Sequence, residues 1–125
     1  MSIEAAVICL ALNVYFEAAG EPIDGQFAVA QVTLNRAQRN PEKVCDVVYA
    51  PAQFSWTAKR PAVPKDDNAA FQHAKRVARL SFHMADFTGG ADHYHATYVR
   101  PDWDYRKIVI TGQWGNHIFY KRRGK

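Results

Sequence analysis

Cysteine is scarce in this chain, which has Cys9 and Cys45 as the only two among 125 residues. Two cysteines so far apart in the sequence are too few for a cysteine-ligated metal site, and they are also too few for a disulfide-rich scaffold. Because free cysteine tends to lie inside proteins, we expect two reduced, buried thiols, with a single bridge as the alternative. The chain must therefore fold around an apolar core.

Long apolar runs are also absent, and no stretch of the sequence is long enough to span a bilayer. No Lys or Arg precedes the first apolar stretch, and Glu4 lies close to the start, so this segment does not resemble an export signal. We therefore expect a soluble chain without stable membrane insertion. A length of 125 residues with 48% hydrophobic content predicts a single domain over residues 1–125, which we expect to be a monomer.

Acidic residues are fewer than basic ones, 12 against 16, and the formal net charge is +4. A basic surface favours encounter with polyanions such as nucleic acids, membrane surfaces and bacterial walls, without choosing among them. A nucleic-acid-binding module would use these cations for phosphates and the Tyr and Trp rings for bases. No nucleic-acid motif accompanies the charge, so we expect no nucleic-acid partner.

Helical signals dominate the amino-terminal part of the chain. Ser2 is the expected N-cap of a first helix, which Gly20 ends in a left-handed conformation. Asp24 is the expected cap of a second helix, and the Asn40–Pro41 pair predicts a short third helix that reaches Tyr49.

A long loop and a change of period follow these helices. Residues 50–65 carry three prolines and show no period, which predicts a functional loop with exposed aromatic residues. Asp66 or Asp67 is expected to cap a fourth helix. The period then changes to two over residues 93–98, and residues 108–110 and 117–120 predict a hairpin. Helices followed by a small antiparallel sheet describe an α+β domain.

Glu17 is the residue that the pattern ties most directly to chemistry. Ile3, Val7, Leu10 and Val14 follow one another at three- and four-residue steps, and Glu17 takes the next step of this apolar stripe. The carboxyl group is therefore expected to point inward, where burial disfavours its charged form. A carboxyl group that stays protonated near neutral pH can act as a general acid.

Six short motifs occur in a fixed order along the chain. They are residues 15–22 (YFEAAGEP), 25–30 (GQFAVA), 34–36 (LNR), 53–56 (QFSW), 88–91 (TGGA) and 115–120 (GNHIFY). In this order and spacing they resemble the SleB-like, spore-cortex-lytic family of cell-wall hydrolases, whose catalytic domains cut the glycan of peptidoglycan. The resemblance runs from about Val7 to Tyr120.

The resemblance implies a lysozyme-like α+β fold, bacterial peptidoglycan as the partner and an enzyme that works without a cofactor. It also implies cleavage between N-acetylmuramic acid and N-acetylglucosamine, with Glu17 as the catalytic acid. The family usually has arginine where this chain has Ala19. Any role of that cation is therefore absent or has moved.

The reaction type depends on whether a second carboxylate takes part. Glu21 and Asp24 are the nearest acids in the sequence, and Gly20 and Pro22 make their geometry relative to Glu17 unpredictable. A lytic transglycosylase needs no second carboxylate, because the C6 hydroxyl of muramic acid attacks the anomeric carbon and Glu17 takes back its proton. We expect this route, with Glu21 as a second catalytic-site residue and a hydrolytic muramidase as the alternative.

Sugar rings stack on aromatic side chains, and N-acetyl groups pair with amides. On this ground the predicted substrate-binding residues are Gln26, Gln53, Phe54, Trp56, Tyr94 and Tyr98, with Trp103 a further candidate. Gln26, Phe54 and Tyr94 rank first among them.

The histidines give a competing hypothesis. His93 and His95 share one strand face, and His117 on a neighbouring strand would complete a zinc triad, with Asp92 or Glu17 as a further ligand. This arrangement would make a zinc-dependent wall amidase or hydrolase.

The absence of an export signal, combined with the resemblance, favours a phage endolysin. Such an enzyme reaches the wall from the host cytoplasm through a pore that another protein makes. A truncated form of an exported enzyme is the alternative.

Overall fold

The computed structural model describes residues 3–51 and 53–124. Within these residues the helices come first and the strands last, as the sequence predicts. The α-helices are α1 (Ile3–Ala18), α2 (Ile23–Arg36), α3 (Val44–Tyr49), α4 (Ser55–Ala58) and α5 (Ala69–Ser81). The strands are β1 (His93–Ala96), β2 (Ile108–Trp114) and β3 (His117–Arg122), and 3₁₀ turns precede α3 and β2 at Pro41–Lys43 and Tyr105–Lys107. This order confirms the α+β class.

Helix α1 is the centre of the helical layer and contacts α2, α3 and α5. Val7, Leu10 and Val14 are fully or almost fully buried, as the stripe predicts, whereas Ile3 is 52% exposed and does not belong to the core. Burial of this face supplies most of the helix's stability, since short helices are marginal in isolation. The end of the stripe therefore places Glu17 at the edge of the core.

The helix ends follow the predictions only in part. Asn40 accepts a hydrogen bond from the Glu42 amide, which confirms its predicted capping role. Gly20 does not adopt a left-handed conformation, so that prediction is wrong. Asp24 is also not a cap, because α2 already begins at Ile23 and the Asp24 carboxylate accepts only from the amide of its neighbour. The predicted cap Ser2 lies outside the described residues.

Helix α5 is capped by Asn68, whose side-chain oxygen accepts from the Phe71 amide at 3.0 Å. The predicted caps Asp66 and Asp67 are therefore wrong by one or two residues. A side chain reaches the third amide of a helix only from the residue directly before the first turn, and Asn68 occupies that position.

The sheet is antiparallel, with β3 in the centre and β1 and β2 on either side. Residues 115–116 form the turn between β2 and β3, so the predicted hairpin is confirmed, and Gly112 lies within β2. Tyr94 is paired with Phe119 on the face that packs on the helices, and Phe119 is fully buried against α2. This face brings β1 towards the end of α1.

Residues 53–65 contain more regular structure than the sequence predicts. Helix α4 lies within this segment, and Phe54 and Trp56 are 4% and 9% exposed. The expectation of exposed aromatic residues is therefore wrong for both rings, which pack into the core that α1 organises. Their burial follows from the neighbouring apolar residues of α1, which a local pattern does not reveal.

Cys9 and Cys45 form a disulfide, which overturns the expectation of two reduced thiols. The bridge joins α1 to α3 across 36 residues of sequence. Helix packing brings the two side chains together, and the general preference of free cysteine for burial contains no information about such a contact. Among the described residues, no helix combines the length and the apolar character that a bilayer crossing requires.

Candidate active site

Glu17 meets Tyr94 where the last turn of α1 faces the sheet. The Tyr94 hydroxyl donates a hydrogen bond to Glu17 Oε1 at 2.6 Å, and the glutamate is partly buried. The inward direction predicted for this carboxyl group is confirmed. Tyr94, predicted as a substrate-binding residue, is thus placed in direct contact with the predicted acid.

Tyr94 remains a hydrogen-bond donor over the whole range of physiological pH. Burial raises the pKa of the Tyr94 hydroxyl well above its usual value, and the nearby Glu17 carboxylate raises that pKa further. A protonated phenol keeps its proton for donation, and in this structure it donates to Glu17 Oε1. Oε1 is therefore occupied as an acceptor, and Oε2 is the oxygen that can carry and deliver a proton.

Arg36, at the end of α2, supplies a cation next to this pair. Its Nε donates to the Asp92 carbonyl at 2.7 Å, and its Nη1 donates to Gln53 Oε1 at 3.2 Å. Burial lowers the pKa of Arg36, whereas Tyr94, Asp92 and Glu17 act in the opposite direction. The two hydrogen bonds hold the guanidinium between the residue that precedes β1 and the segment that follows α3.

Phe54 and Gln53 both contact Arg36. The guanidinium carbon lies 5.1 Å from the centre of the Phe54 ring, and Gln53 accepts its hydrogen bond. The structure therefore brings these two predicted substrate-binding residues to the same region as Glu17. Phe54 is buried beneath the guanidinium, while Gln53 is exposed and accessible to a ligand.

A buried polar network supports α1 one turn before Glu17. Asn13 is fully buried, donates from Nδ2 to Thr33 Oγ1 at 3.1 Å and accepts from Trp56 Nε1 at 2.7 Å. Trp56 in turn stacks on Phe16 with ring centres 4.8 Å apart. Trp56 thus fixes the wall of the site, because its indole N–H and ring face are already paired inside the protein.

Glu21 connects the corner between α1 and α2 to the hairpin turn. Its two oxygens accept from the backbone amide and from Nδ2 of Asn116, at 2.6 and 3.1 Å, and His117 Nδ1 lies 3.3 Å away. Burial alone would raise the pKa of Glu21, but the Asn116 hydrogen bonds and the His117 imidazole together lower it. The Glu21 carboxylate is therefore held in its charged form.

Two other predicted substrate-binding residues take different positions. Gln26 is 6% exposed, and its amide donates to the Glu21 carbonyl at 2.9 Å, so it braces the same corner. Tyr98 follows β1 and is 85% exposed, and the structure does not bring it to Glu17 by any contact. Trp103 packs on the opposite face of the sheet, against His93 and His95.

The strand register contradicts the zinc-triad hypothesis. Residue pairs across an antiparallel ladder share a face, and His117 is paired with Ala96, which lies on the opposite face from His93 and His95. His95 Nε2 instead lies 2.7 Å from the Tyr120 hydroxyl. The described residues contain no group of His, Cys, Asp and Glu that could hold a metal ion. The zinc-dependent alternative is therefore wrong.

A cleft of about 540 Å³ opens beside Arg36 and Asp92. Neither Glu17 nor Tyr94 lines it, but Asp92 precedes Tyr94 by two residues, and Tyr94 contacts Glu17. The other lining residues come from the end of α2, from α3 and the segment after it, from the loop before β1 and from the end of β3. They are Asn35, Gln38, Val47, Ala50, Gln53, Gly89, Gly90, Asp92, His93, Lys121 and Arg122.

Sequence reasoning missed Asn13, Arg36 and Asn116 as members of the site. Asn13 had a signal, since it is a polar residue within the apolar part of α1, four positions before Glu17. Arg36 also had one, because it ends a motif that the resemblance included. Asn116 lies in the motif at residues 115–120, but its contact with Glu21 spans 95 residues of sequence, and no local pattern predicts that contact.

Comparisons with known proteins identify the family and the fold. Residues 20–120 match the Cell Wall Hydrolase family. The chain is 33% identical over 113 residues to a spore cortex-lytic enzyme from Halalkalibacterium halodurans. The aligned region covers 88% of this chain and 33% of that relative's length.

Two solved structures share the fold. The catalytic domain of the Bacillus cereus SleB protein has a TM-score of 0.77 and 29% identity, with 94% of this chain and 91% of that one covered. The catalytic domain of the germination-specific lytic transglycosylase SleB from Bacillus anthracis has a TM-score of 0.73 and 29% identity, with 93% of each chain covered. These similarities confirm the predicted fold class.

Proposed function

The chain belongs to the cell wall hydrolase family, and from this membership we propose that it is a peptidoglycan lytic transglycosylase. It cuts the glycan between N-acetylmuramic acid and N-acetylglucosamine. A spore cortex-lytic enzyme and the SleB catalytic domains are its relatives. The observation that supports this proposal most directly is the hydrogen bond from the Tyr94 hydroxyl to Glu17, which holds one oxygen of the predicted acid in place.

Geometry is the basis for choosing Glu17 over Glu21 as the acid. The family match begins at Gly20, so it includes Glu21 and stops short of Glu17. Glu21 is held as a carboxylate by Asn116 and His117, and a group in that state is a poor proton donor. Glu17 has an oxygen that remains available, so we assign the acid role to it.

The first chemical step transfers a proton from Glu17 Oε2 to the bridging oxygen of the glycosidic bond. The bond from the anomeric carbon to this oxygen breaks, and the N-acetylglucosamine side leaves with a hydroxyl group. Positive charge develops on the muramic acid ring, and the carboxylate now formed at Glu17 stabilises it. Tyr94 keeps donating to Oε1 and holds the carboxylate in position.

The second step returns the proton. The C6 hydroxyl oxygen of muramic acid forms a bond to the anomeric carbon, and its proton passes to Glu17 Oε2. The product is a 1,6-anhydro sugar, no water is consumed, and Glu17 is ready for another cycle. One carboxyl group serves as acid and then as base, which is the reason that a second catalytic carboxylate is unnecessary.

The other residues of the site have supporting roles in this proposal. Glu21 is a positioning residue, because it ties the α1–α2 corner to the hairpin turn through Asn116. Arg36 belongs to the LNR motif that the resemblance includes, and its bonds to the Asp92 carbonyl and to Gln53 hold the guanidinium at the edge of the cleft. Gln53 is the predicted sugar-binding amide with an exposed side chain in this region.

Product chemistry tests the reaction type. Purified peptidoglycan is digested with the wild-type protein, and the fragments are identified by mass spectrometry. We expect 1,6-anhydro-muramic ends. Reducing muramic acid ends would mean a hydrolytic muramidase, and free stem peptides would mean an amidase or peptidase, so either result would overturn the proposal. Action as a phage endolysin and a monomeric state stay predictions.

A further inference from the structure

We propose that the cleft beside Arg36 binds the carboxylates of the acidic peptide that muramic acid carries in peptidoglycan. This inference rests on the proposed function and adds a second recognition element to it. The glycan would lie at Glu17, and the peptide attached to the same strand would enter the cleft. The ligand is thus defined by its chemistry, an acidic peptide linked to a sugar.

The charge of the cleft favours an anion. Three cationic side chains line it, from Arg36, Lys121 and Arg122, against the single carboxylate of Asp92, which gives a formal charge of +2 with histidine neutral. Asp92 is itself engaged, since His93 Nδ1 lies 2.7 Å and Arg122 Nε 3.4 Å from its oxygens. The positive charge of the cleft is therefore only partly compensated from within.

Lys121 and one nitrogen of Arg36 have no acceptor among the described residues. Within residues 3–51 and 53–124, Lys121 makes no hydrogen bond or ion pair, although its side chain is only partly exposed. Arg36 uses Nε and Nη1, and its Nη2 has no acceptor in the same part of the chain. A carboxylate would satisfy both groups, and charge-assisted bonds of this kind are stronger than neutral ones.

The position of Lys121 fits this role. It follows Phe119 by two residues in β3, so both side chains leave the sheet on the helix-facing side. Beyond the buried Phe119 this face ends at the cleft, next to the loop that contains Gly89 and Gly90. A side chain at Gly90 would contact the Lys121 stem, so the absence of one keeps this part of the cleft open.

The peptide is favoured over a phosphate polymer of the wall because the cleft lies close to Glu17. Asp92 lines the cleft and is bonded by Arg36, and Tyr94, two residues after Asp92, is hydrogen-bonded to Glu17, so the two regions are adjacent. A peptide linked to the sugar being cleaved must leave the glycan close to Glu17. The cleft volume of about 540 Å³ is suitable for several atoms of a peptide with its carboxylate groups.

The test compares two forms of one substrate. Glycan strands that carry stem peptides are prepared free of wall phosphate polymers, and half of the sample is stripped of its peptides with an amidase. We expect the wild-type protein to cleave the peptide-bearing strands about tenfold faster, as one added charge-assisted contact implies. Lys121→Gln should bring the ratio of the two rates close to one.

Arg76→Gln is the matched control, because Arg76 is an exposed cation of α5 that does not line the cleft. It should keep the wild-type ratio. Thermal unfolding of each variant identifies loss of fold, which would lower both rates together and leave the ratio unchanged. Equal wild-type rates on the two strands, or an unaltered ratio in a Lys121→Gln protein that unfolds at the wild-type temperature, would overturn the inference.

A binding measurement separates this inference from the proposed function. The soluble stem tripeptide is titrated into the wild-type protein, and amide signals are followed by NMR. We expect shifts at Gly89 and Gly90 that weaken with salt and in Lys121→Gln. Chemical-shift changes without cleavage of either strand would support the peptide site and contradict the proposed transglycosylase activity. Cleavage without these changes would contradict the peptide site alone. Shifts with a soluble wall phosphate polymer and none with the peptide would also reject it.

Discussion

The Tyr94 hydroxyl donates a hydrogen bond of 2.6 Å to Glu17 Oε1, although the two residues lie 77 positions apart in the sequence. Tyr94 comes from the edge strand β1 and Glu17 from the last turn of α1. The contact therefore depends on how the sheet packs against the helices. It links the acid of the proposed reaction to a donor that does not titrate in the working pH range, because burial raises the pKa of Tyr94.

Tyr94→Phe should lower kcat on purified peptidoglycan by about ten- to a hundredfold, as loss of a hydrogen bond to a charged group implies. The ring stays in place, so its packing on Phe119 and the thermal stability should change little. The control is Tyr49→Phe, since the Tyr49 hydroxyl makes no hydrogen bond within the described residues. Unchanged kcat in Tyr94→Phe would show that the contact does not position Glu17.

Glu21→Gln should lower the free energy of unfolding by about 1–2 kcal/mol near neutral pH, because an ionic acceptor for Asn116 is lost. The pKa of Glu21 is lowered in the folded state from 4.5. The contribution of the Glu21 carboxylate to the free energy of unfolding is therefore complete above pH 4.5, and it disappears as the pH falls through the folded-state pKa. Urea unfolding between pH 3 and 6 should show the two proteins converging at the acidic end.

The matched control for this measurement is Glu42→Gln, an exposed carboxyl group in the turn before α3. It should unfold like the wild type throughout. Activity gives a second readout, since Glu21→Gln should retain transglycosylase activity if Glu21 only positions the corner. Complete loss of activity in a folded Glu21→Gln protein would instead make Glu21 a catalytic residue.

Gly115→Ala should destabilise the protein by about 2 kcal/mol or more, for two reasons. Gly115 has a φ of +60°, which L residues rarely adopt, and an added Cβ would lie 2.6 Å from Glu21 Oε1. Gly20→Ala is the comparison, since no atom lies within 4 Å of its added Cβ and its φ is not positive. Equal stabilities of the two variants would contradict the close packing of the hairpin turn on Glu21.

Reduction of the Cys9–Cys45 disulfide should lower the stability by about 3–4 kcal/mol, because the bridge closes a long loop in the unfolded chain. Calorimetry with and without a reductant measures this effect as a fall in Tm. The Cys9→Ala/Cys45→Ala double variant should unfold at the lower temperature in both conditions. A wild-type Tm that does not respond to full reduction would contradict a stabilising bridge.

The sequence alone is sufficient for those features that depend on local periodicity. The apolar stripe of α1 predicts the direction of Glu17, and the alternation in residues 93–98 predicts the strand that carries Tyr94. Both predictions hold because one buried face imposes its period on the helix or the strand.

Features that depend on packing between distant segments could not be predicted. Trp56 donates a hydrogen bond to Asn13, 43 residues away in the sequence. Because of this contact, Trp56 forms part of the wall of the site, whereas the sequence predicts an exposed aromatic residue in a loop. The same holds for Cys9 and Cys45, which meet only because α1 packs on α3. The zinc hypothesis is wrong for a related reason. The alternation within β3 does not say which face of the sheet His117 occupies, because that is decided by the pairing of β3 with β1.

The central claim is that Glu17 delivers and recovers the proton of the reaction. Glu17→Gln keeps the size of the side chain and removes its acidity, and Glu42→Gln makes the same change at an exposed site outside the catalytic region. The decisive measurement is the yield of 1,6-anhydro-muramic ends from purified peptidoglycan. The account predicts none above background with folded Glu17→Gln and the wild-type yield with Glu42→Gln. A wild-type yield from Glu17→Gln would contradict it.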